Sequence, residues 1–299
     1  MHVSVQAWPL LDIVGIDEGY QALRAAGIDY CDFGMGRFFN KTQRALLDEP
    51  LDAVLAAAEP FRAGAKKYGV NISQTHAPFP CWELESDMMH ERMIAVTEKS
   101  IALTAFMDSK YCVVHPAHTP RAEDRLSPAE EWAINKEFYT ALIPTLKKYN
   151  VVCCLENMIH KYQGQFYMGS ACSDAREAAE WIDELNAIAG QEVFGFCFDT
   201  GHAHVSRLNQ RHFLTKMGKR TKVLHVHDNM GQIDQHLSPY MGNIDWDQVM
   251  LGLKEAGYEG ELFFETSKVI ASYPRNMIPT CLKLLSETGN SLIEKFENA

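Results

Sequence analysis

Short apolar runs alternate with stretches of helical periodicity along most of the chain. Eight apolar runs of strand length fall at 3–8, 28–34, 70–76, 111–116, 151–157, 193–200, 223–228 and 261–267. Helical periodicity fills 17–26, 50–68, 86–108, 128–149, 173–189, about 206–219, 246–256 and 274–296. Apolar strands that are each followed by a helix are typical of a parallel sheet covered by helices. The pattern therefore predicts eight consecutive strand–helix units.

Eight such units in a chain of 299 residues fit a closed (β/α)8 TIM barrel. A doubly wound open sheet is the alternative, but the glycine-rich turn expected after its first strand is missing here. No stretch rich in proline, glycine or serine divides the chain into two parts. We therefore expect an α/β protein with one barrel domain over residues 1–299 and an active site at the C-terminal ends of the strands.

Composition and charge narrow the classes of partner. The chain is 46% hydrophobic and 22% charged, as in an ordinary globular protein, and no uncharged apolar run is long enough to span a membrane. Its net charge of −11 gives no general attraction for nucleic acid or anionic membranes, although a local basic groove stays open. Five of the eight cysteines lie inside apolar runs, as buried reduced thiols usually do. We expect a cytoplasmic protein without an export signal.

Most of the apolar runs end in a carboxylate or an imidazole. From the third run to the eighth, the terminal side chains are His76, His115, Glu156, Asp199 with His202 just beyond it, His225 with His227 and Asp228, and Glu265. Their spacing is about one strand–helix unit, so a barrel brings them all to one rim. Buried carboxylates without a counter-charge take up protons, whereas a divalent cation accepts both carboxylate and imidazole ligands. The pattern therefore predicts a metal site.

Each of these residues has a simpler interpretation when it is taken alone. A histidine after a strand is more often a structural hydrogen-bonding residue, and Asp199 is suited to cap the helix that follows it. Six such residues in register with six consecutive strands favour the metal. The roles of His118, His204 and His227 stay open, and Trp8 either stacks on a sugar or packs at the barrel mouth. The remaining histidines, expected at the surface, are His2, His90, His160 and His212.

The motifs at the strand ends resemble those of a known family. Between His76 and Glu265 they read H-A-P-F, V-H-P, L-E-N, F-D-T-G-H, L-H-V-H-D-N, D-Q-H and F-F-E-T. This set resembles the xylose isomerase-like TIM barrels, a superfamily of sugar isomerases and epimerases that also holds the endonuclease IV type of abasic-site DNA nuclease. The motifs are specific for the superfamily as a set, and they do not choose between its members.

Resemblance to the ketose 3-epimerases implies one metal ion held by Glu156, Asp199, His225 and Glu265. It also makes Glu156 and Glu265 the catalytic acid/base pair and His202 a substrate contact. Three oxygen ligands and one nitrogen ligand favour Mn²⁺, Co²⁺ or Mg²⁺, with Zn²⁺ still open. The implied reaction is that of a metal-dependent sugar or sugar-phosphate isomerase or epimerase. Such an enzyme removes a proton next to a carbonyl group and passes through an enediolate.

Resemblance to the endonuclease branch implies a longer ligand set. That branch uses three zinc ions, and its additional ligands correspond to His76, His115, His202, Asp234 and His236. The alternative function is therefore a zinc phosphodiesterase that acts on abasic DNA, and a further alternative is a metal-dependent lyase that cleaves 3-keto-glycosides. The acidic net charge and the lack of obvious basic loops argue against nucleic acid as the partner.

The sugar branch is the leading hypothesis, with a small-molecule sugar as substrate and a homo-oligomer left open. The segment D-Q-H-L-S-P-Y-M-G-N-I-D-W resembles a signature of sugar isomerases and departs from it at Tyr240 and Met241, where Gly-Glu is more usual. On this hypothesis His227 and Asp228 orient the ligands from behind. The residues assigned to substrate binding or to an additional metal are His76, His115, His202, Asp234 and His236.

Overall fold

The computed structural model describes residues 1–82, 87–119 and 121–299, without the side chains of residues 87–89 and 122. Its strands are β1 Val3–Val5, β2 Tyr30–Gly34, β3 Asn71–His76, β4 Tyr111–Val113, β5 Val152–Glu156, β6 Ile159–Tyr162, β7 Phe166–Gly169, β8 Phe194–Asp199, β9 Thr221–His225 and β10 Leu262–Phe264. Eight of them form one parallel sheet in the order β10-β1-β2-β3-β4-β5-β8-β9. The predicted (β/α)8 TIM barrel is therefore confirmed.

Backbone hydrogen bonds of Val226, just beyond β9, join it to β10 and bring the two ends of the sheet together. The N–H of Val226 donates to the carbonyl of Phe263 at 2.8 Å, and the N–H of Glu265 donates to the carbonyl of Val226 at 3.1 Å. These bonds close the eight-stranded sheet into a barrel. The carboxyl ends of its strands therefore form a ring.

Helices surround the barrel and fill most of the connections between its strands. The helices are α1 Trp8–Val14, α2 Ile16–Ala25, α3 Leu51–Tyr68, α4 Asp87–Phe106, α5 Pro128–Tyr149, α6 Ala175–Ala189, α7 Thr200–Val205, α8 Gln210–Met217, α9 Trp246–Ala256, α10 Ser267–Ala271 and α11 Ile278–Asn298. Short 3₁₀ turns lie at Gly36–Phe38, Leu46–Asp48, Ala122–Asp124, Gly218–Arg220 and Arg275–Met277. Among the described residues, no helix has both the length and the apolar character needed to cross a membrane.

Local sequence signals account for the ends of the long helices. Ser127 begins α5 with a capping box, in which its hydroxyl accepts from the N–H of Glu130 and the Glu130 side chain accepts from the N–H of Ser127. Gly69 ends α3 in the left-handed conformation at φ 67°, which glycine adopts without steric cost. Such signals are readable in sequence because each depends on residues within a few positions of one another.

The structure adds elements at the barrel mouth that periodicity does not predict. The chain after β5 folds back as an antiparallel hairpin of β6 and β7, which is separate from the barrel sheet. Trp8, expected at the end of the first strand, is instead the first residue of α1, where Pro9 supports a helix start. The helix expected near 206–219 is the shorter α8, and the separate short helix α7 precedes it. Elements this short give too few positions for a period to be recognised.

Two apolar regions lie on the two sides of the barrel strands. The larger one fills the space between strands and helices, and a small one fills the barrel interior with Val113, Val152, Cys154, Cys197 and Val223. All eight cysteines are buried and free, which agrees with the expectation of buried thiols. Strands that are apolar on both faces are the reason for the near-continuous hydrophobic runs in the sequence.

Adjacent leucines in α11 test this packing. Leu285 is fully buried, whereas its neighbour Leu284 is 50% exposed. Leu285→Ala is expected to lower the free energy of unfolding by about 2–5 kcal/mol because it leaves a cavity. Leu284→Ala removes the same atoms from the surface and is expected to change it by about 0.5 kcal/mol or less. Denaturant titration followed by circular dichroism measures both, and equal effects would contradict the docking of α11 on the barrel.

Candidate metal centre

Side-chain alternation along β8 explains why an apolar strand ends in a carboxylate. Phe196 and Phe198 contact the ring of Phe213 in α8, with centroid distances of 5.6 and 5.3 Å. Cys197, between them in sequence, belongs instead to the cluster in the barrel interior. Asp199 lies two residues after Cys197 and so shares its face of the strand. The side chain of Asp199 therefore lies on the interior side, at the carboxyl end of the strand.

The same alternation places candidate ligands on the neighbouring strands. Glu156 lies two positions after Cys154 of the interior cluster, and His225 lies two positions after Val223 of that cluster. Glu265 immediately follows β10 and is held there by the backbone bond from its N–H to Val226. Three strands and one strand end therefore converge on one point at the barrel mouth.

His225 lies at the centre of the set assigned from sequence to a single metal. Its Nδ1 is 3.3 Å from Oε2 of Glu156, 3.4 Å from Oε2 of Glu265 and 4.0 Å from Oδ2 of Asp199. Glu156, Asp199 and His225 are buried, and the Glu265 side chain is 16% exposed. The structure thus brings these residues together, although they come from four separate parts of the chain.

Two further histidines approach Glu156 from β3 and from the end of β4. Nε2 of His115 is 3.2 Å from Oε2 of Glu156, and Nε2 of His76 is 3.9 Å from the same oxygen. The two Nε2 atoms are 3.0 Å from each other. Oε2 of Glu156 therefore faces this histidine pair as well as His225, and the ring of His76 also stacks on that of His225 at 5.4 Å.

A fourth carboxylate, Asp234, lies beside the remaining candidates. Its Oδ2 is 2.8 Å from Nε2 of His236 and 3.8 Å from Nε2 of His202. His227 stacks on His236 with ring centroids 4.0 Å apart, and its Nε2 is 3.0 Å from Oδ2 of Asp199. The D-Q-H segment therefore lies beside the Asp199 group. The candidate side chains therefore form one continuous cluster of ten residues, which are His76, His115, Glu156, Asp199, His202, His225, His227, Asp234, His236 and Glu265.

The cluster contains several overlapping groups with the spacing of metal ligands. Within each group, one nitrogen or oxygen atom from every residue lies within 4.8 Å of the others. The groups are His76–Glu156–His225, Glu156–Asp199–His202, Asp199–His225–Glu265 and His227–His236–Glu265. Carboxylate oxygens and imidazole nitrogens are suitable ligands for divalent cations, so the cluster could hold at least one.

Backbone carbonyls fix the orientation of three imidazoles. A carbonyl oxygen only accepts hydrogen bonds, so the Nδ1 atom that faces it carries the proton. The Nε2 atom of the same ring then points away from the carbonyl. The pairs are His76 Nδ1 with Ala77 O at 2.7 Å, His202 Nδ1 with Asn157 O at 2.9 Å, and His236 Nδ1 with Glu265 O at 3.0 Å. This arrangement is the usual one for histidines that bind a metal through Nε2.

Several buried polar atoms of the cluster lack a hydrogen-bond partner of good geometry. They include Oε2 of Glu156, both ring nitrogens of His225 and Oδ1 of Asp234. Buried polar atoms are rarely left without a partner, because each such atom costs about 1–3 kcal/mol. These atoms are the ones a cation would use. The donor set and its unsatisfied atoms therefore fit a divalent metal ion.

Charge balance within the cluster supports the same conclusion. Burial alone raises the pKa of Glu156, but the imidazoles of His225 and His115 outweigh it and hold that pKa well below its usual value. Burial lowers the pKa of His225, yet the carboxylates of Glu156 and Glu265 raise it to about 10. Glu156 is thus ionised, which is the state in which a carboxylate binds a cation.

Asn157, to which sequence analysis assigned no role, holds two candidate ligands in place. Its amide donates to the carbonyl of Asp199 at 2.9 Å and accepts from the N–H of Asp199 at 2.8 Å. Its own carbonyl lies beside Nδ1 of His202. Asn157 is fully buried and follows Glu156 directly, so one residue ties β5 to β8 beneath the cluster. An asparagine after a strand is too common a feature to predict such a role.

Asp228, expected to orient ligands, is the anchor of the loop between β9 and α9. It is completely buried. Its carboxylate accepts hydrogen bonds from the backbone N–H groups of Asn229, Tyr240 and Ile244 and from the indole N–H of Trp246, at 2.8 to 3.2 Å. The loop between these donors carries Asp234 and His236. Asp228 therefore positions both without contacting the cluster, whereas His227 contacts Asp199 directly.

Other histidines differ in how well their sequence interpretation agrees with the structure. His2 and His212 are exposed as expected, but His160 is buried and His90 is partly buried, so the surface prediction was wrong for these two. His160 lies in β6 of the unexpected hairpin, where its neighbours Lys161 and Tyr162 are exposed. His118 lines the cavity described next.

A cavity of about 870 Å³ opens above the cluster. Its lining includes Glu156, His202 and Glu265 of the cluster, together with Phe79, Met158 and other residues that sequence analysis did not assign. A second cavity of about 620 Å³ is lined by Trp8 and Asp32 and shares His76, Phe79 and Glu265 with the first. Cavities of this size bind small molecules.

Comparison with known proteins identifies the family. Residues 20–279 match the xylose isomerase-like TIM barrel family, and the protein belongs to that family. An uncharacterised protein of Methanocaldococcus jannaschii is 30% identical over 210 residues, which are 68% of this chain and 67% of the relative.

Two solved structures illustrate the shared fold. A D-tagatose 3-epimerase-like protein superposes with a TM-score of 0.70 at 21% identity, and the alignment covers 99% of each chain. The IOLI protein, solved with a zinc atom, superposes with a TM-score of 0.66 at 16% identity and covers 100% of this chain and 99% of its own. At these identities the likeness establishes the fold.

Asp228→Asn tests the anchor of the loop. The amide keeps one acceptor and turns a donor toward groups that themselves donate, so we expect a loss of about 2–3 kcal/mol in the free energy of unfolding. Hydrogen exchange in residues 229–245 should also become faster. The matched control is Asp247→Asn, whose carboxylate is 73% exposed and whose expected cost is about 0.5 kcal/mol or less. Unchanged exchange in Asp228→Asn would contradict the assigned role.

Proposed function

We propose that this protein is a metal-dependent sugar isomerase or epimerase that moves a proton next to a substrate carbonyl. The observation that carries the proposal is the convergence of Glu156 and Glu265 on one imidazole nitrogen, at 3.3 and 3.4 Å from Nδ1 of His225. Both carboxylates line the floor of the larger cavity. Two carboxylates beside one small-molecule site are what a two-step proton transfer requires. Family membership supports the same reaction class.

The cation would be held by Glu156, Asp199, His225 and Glu265. When bound, it supplies Lewis acidity, which stabilises negative charge on a substrate oxygen. This donor set favours Mn²⁺, Co²⁺ or Mg²⁺, with Zn²⁺ as the alternative. The IOLI protein, whose solved structure contains zinc, has the same fold.

Glu156 is suited to remove the proton. Its pKa is held low against the effect of burial by His225 and His115, so it is ionised, and its Oε2 lacks a hydrogen-bond partner. Glu265 on the other side of His225 would return a proton to the opposite face or to the adjacent carbon. His202 lines the same cavity and would donate to a sugar hydroxyl.

Glutamine variants test this assignment. Glu156→Gln and Glu265→Gln should each lower the rate of deuterium uptake from solvent into the α-position of a reactive ketose by about 100-fold or more, since a positioned acid or base contributes 10²–10⁴. The control is Glu192→Gln, at a side chain that is 64% exposed beside Lys222. Proton exchange is followed by nuclear magnetic resonance on a panel of ketoses, with folding checked by circular dichroism. Near-normal exchange in either variant would refute its catalytic role.

A zinc phosphodiesterase acting on abasic DNA is the second candidate, and the size of the cluster favours it. The longer ligand set, with His76, His115, Asp234 and His236, is assembled in one place rather than dispersed. One observation argues against it. The guanidinium of Arg121, at the cavity, pairs with the carboxylate of Asp124 at 2.6 Å and is therefore less available to bind a phosphate backbone.

Metal content separates the two candidates. Elemental analysis of the purified protein should give about one manganese, cobalt or magnesium per chain for the sugar enzyme, and three zinc ions with cleavage of abasic DNA for the nuclease. Chelation is expected to lower the thermal midpoint, because a cation at 1,000 times its Kd adds about 4 kcal/mol to stability. Re-addition of the metal should restore the midpoint. Identical unfolding curves with and without chelator, and no bound metal, would refute both candidates.

A further inference from the structure

Exposed apolar side chains are concentrated in two segments at the barrel mouth. Among the described residues, thirteen large apolar side chains are exposed, and seven of them lie within residues 162–168 and 230–241. We call these seven the mouth patch, which consists of Tyr162, Phe166, Met168, Met230, Ile233, Tyr240 and Met241. Single exposed apolar residues scattered over a surface are normal, whereas a concentration of them marks an interaction site.

The two segments are joined into one surface by α7. The hairpin of β6 and β7, helix α7 and the loop with residues 230–241 follow β5, β8 and β9, which are neighbours in the barrel. Helix α7 contacts β7. It also contacts the loop, because Nε2 of His204 lies 2.7 Å from Oδ1 of Asn243 and close to Gly231. The hairpin and the loop therefore border the same short helix.

The mouth patch is separate from the candidate active site. Tyr162 and Phe166 are partners across the hairpin, and Met168 shares their face because it lies two residues after Phe166. Ile159 lies on the opposite face of the hairpin and lines the larger cavity. None of the seven patch residues lines either cavity at the barrel mouth. Substrate binding therefore does not explain their exposure.

The size and composition of the mouth patch are those of a protein interface. Its side chains are 40–57% exposed. Large side chains bury about 150–250 Å² each when fully covered, so the seven present roughly 600–700 Å². A standard interface takes about 800 Å² from each partner, so the patch supplies most of the area that a stable dimer needs. Tyrosine, phenylalanine and methionine, six of the seven residues, are the types enriched in such interfaces.

Charge favours a second copy of this chain as the partner. Two copies with a net charge of −11 repel each other unless they meet at a face that is poor in carboxylates. Residues 162–168 contain no Asp, Glu, Lys or Arg, and residues 230–241 contain only Asp234. Asp234 is directed into the cluster, where its Oδ2 lies 2.8 Å from Nε2 of His236. An uncharged surface complements itself, whereas an anionic membrane or a strongly charged protein calls for opposite charges that these segments lack.

From these observations we infer that the mouth patch is the contact surface between two copies of this chain, packed patch against patch about a two-fold axis. In such a contact both copies contribute the same residues. The loop that carries four of the patch residues also carries Asp234 and His236, so the contact holds one side of the candidate metal centre in place. The inference does not depend on the proposed reaction.

Analytical ultracentrifugation of the full-length protein over a concentration series tests this surface. The native protein should sediment with twice the mass of one chain at micromolar concentration. Phe166→Glu in the hairpin and Met241→Glu in the loop should each raise the dissociation constant of the dimer by about tenfold or more, because each substitution places two carboxylates in a two-fold interface. Both positions are about half exposed in one chain, so folding should be unaffected.

The matched control is Leu284→Glu, which adds the same charge at a leucine of α11 that is 50% exposed and lies outside the patch. It should change the dissociation constant by about twofold or less. Hydrogen exchange should slow within residues 162–168 and 230–241 as the concentration of the native protein is raised and the dimer forms.

Four outcomes would each overturn the inference. They are a native protein that stays monomeric, a dimer that both patch variants leave unchanged, exchange protection confined to other segments, and attachment of monomers to vesicles of phosphatidylcholine and phosphatidylserine. Because two variants on separate segments report on one surface, the test also stands if one of them does not fold.

Discussion

The arrangement of the barrel mouth depends on the charge of three carboxylates, two of them buried and the third 16% exposed. Glu156, Asp199 and Asp234 each have a pKa below the usual value, because neighbouring imidazoles outweigh the effect of burial. Ionised carboxylates in a site of low polarity need positive charge within a few ångströms. Histidines supply the nearest groups that can carry such charge, since imidazoles lie within 4 Å of all three carboxylates. The same geometry that satisfies the carboxylates is therefore the geometry of a metal site.

Buried carboxylates in this protein fall into two kinds, according to what fills their lone pairs. Asp228 accepts from three backbone N–H groups and one indole, so nothing remains for a ligand, and its function is to hold a loop. Glu156 keeps an oxygen with no partner of good geometry. Asp199 is intermediate, since one oxygen accepts the N–H of His202 at 2.6 Å and caps α7, while the other lies beside His227. A carboxylate whose oxygens are all hydrogen-bonded to backbone or indole N–H groups is structural. A carboxylate that keeps an oxygen without such a donor is available to a cation.

The residues proposed to perform the chemistry lie on different elements from other residues that line the cavity. Glu156, Asp199 and His225 project from barrel strands, which are rigid because they are hydrogen-bonded on both sides. Phe79 and Ile159 lie on the connections that follow β3 and β5. A family with this division can keep one reaction while loops change the substrate. This division explains why the strand-end motifs resemble a whole superfamily and do not single out one sugar.

The sequence by itself determined the barrel and the identity of the rim residues. Hydrophobic strands recur with helices between them, and the two-residue period of a strand carries Asp199 to the interior side while Phe196 and Phe198 pack outward. Tertiary structure alone decided the rest. The β6–β7 hairpin, the four donors around Asp228, the two bonds of Asn157 to Asp199 and the position of Phe79 over His115 depend on contacts between segments that are distant in sequence or on loops without a period. A local pattern records which face of a strand a side chain occupies, but only the closed barrel determines which side chains from other strands it will meet.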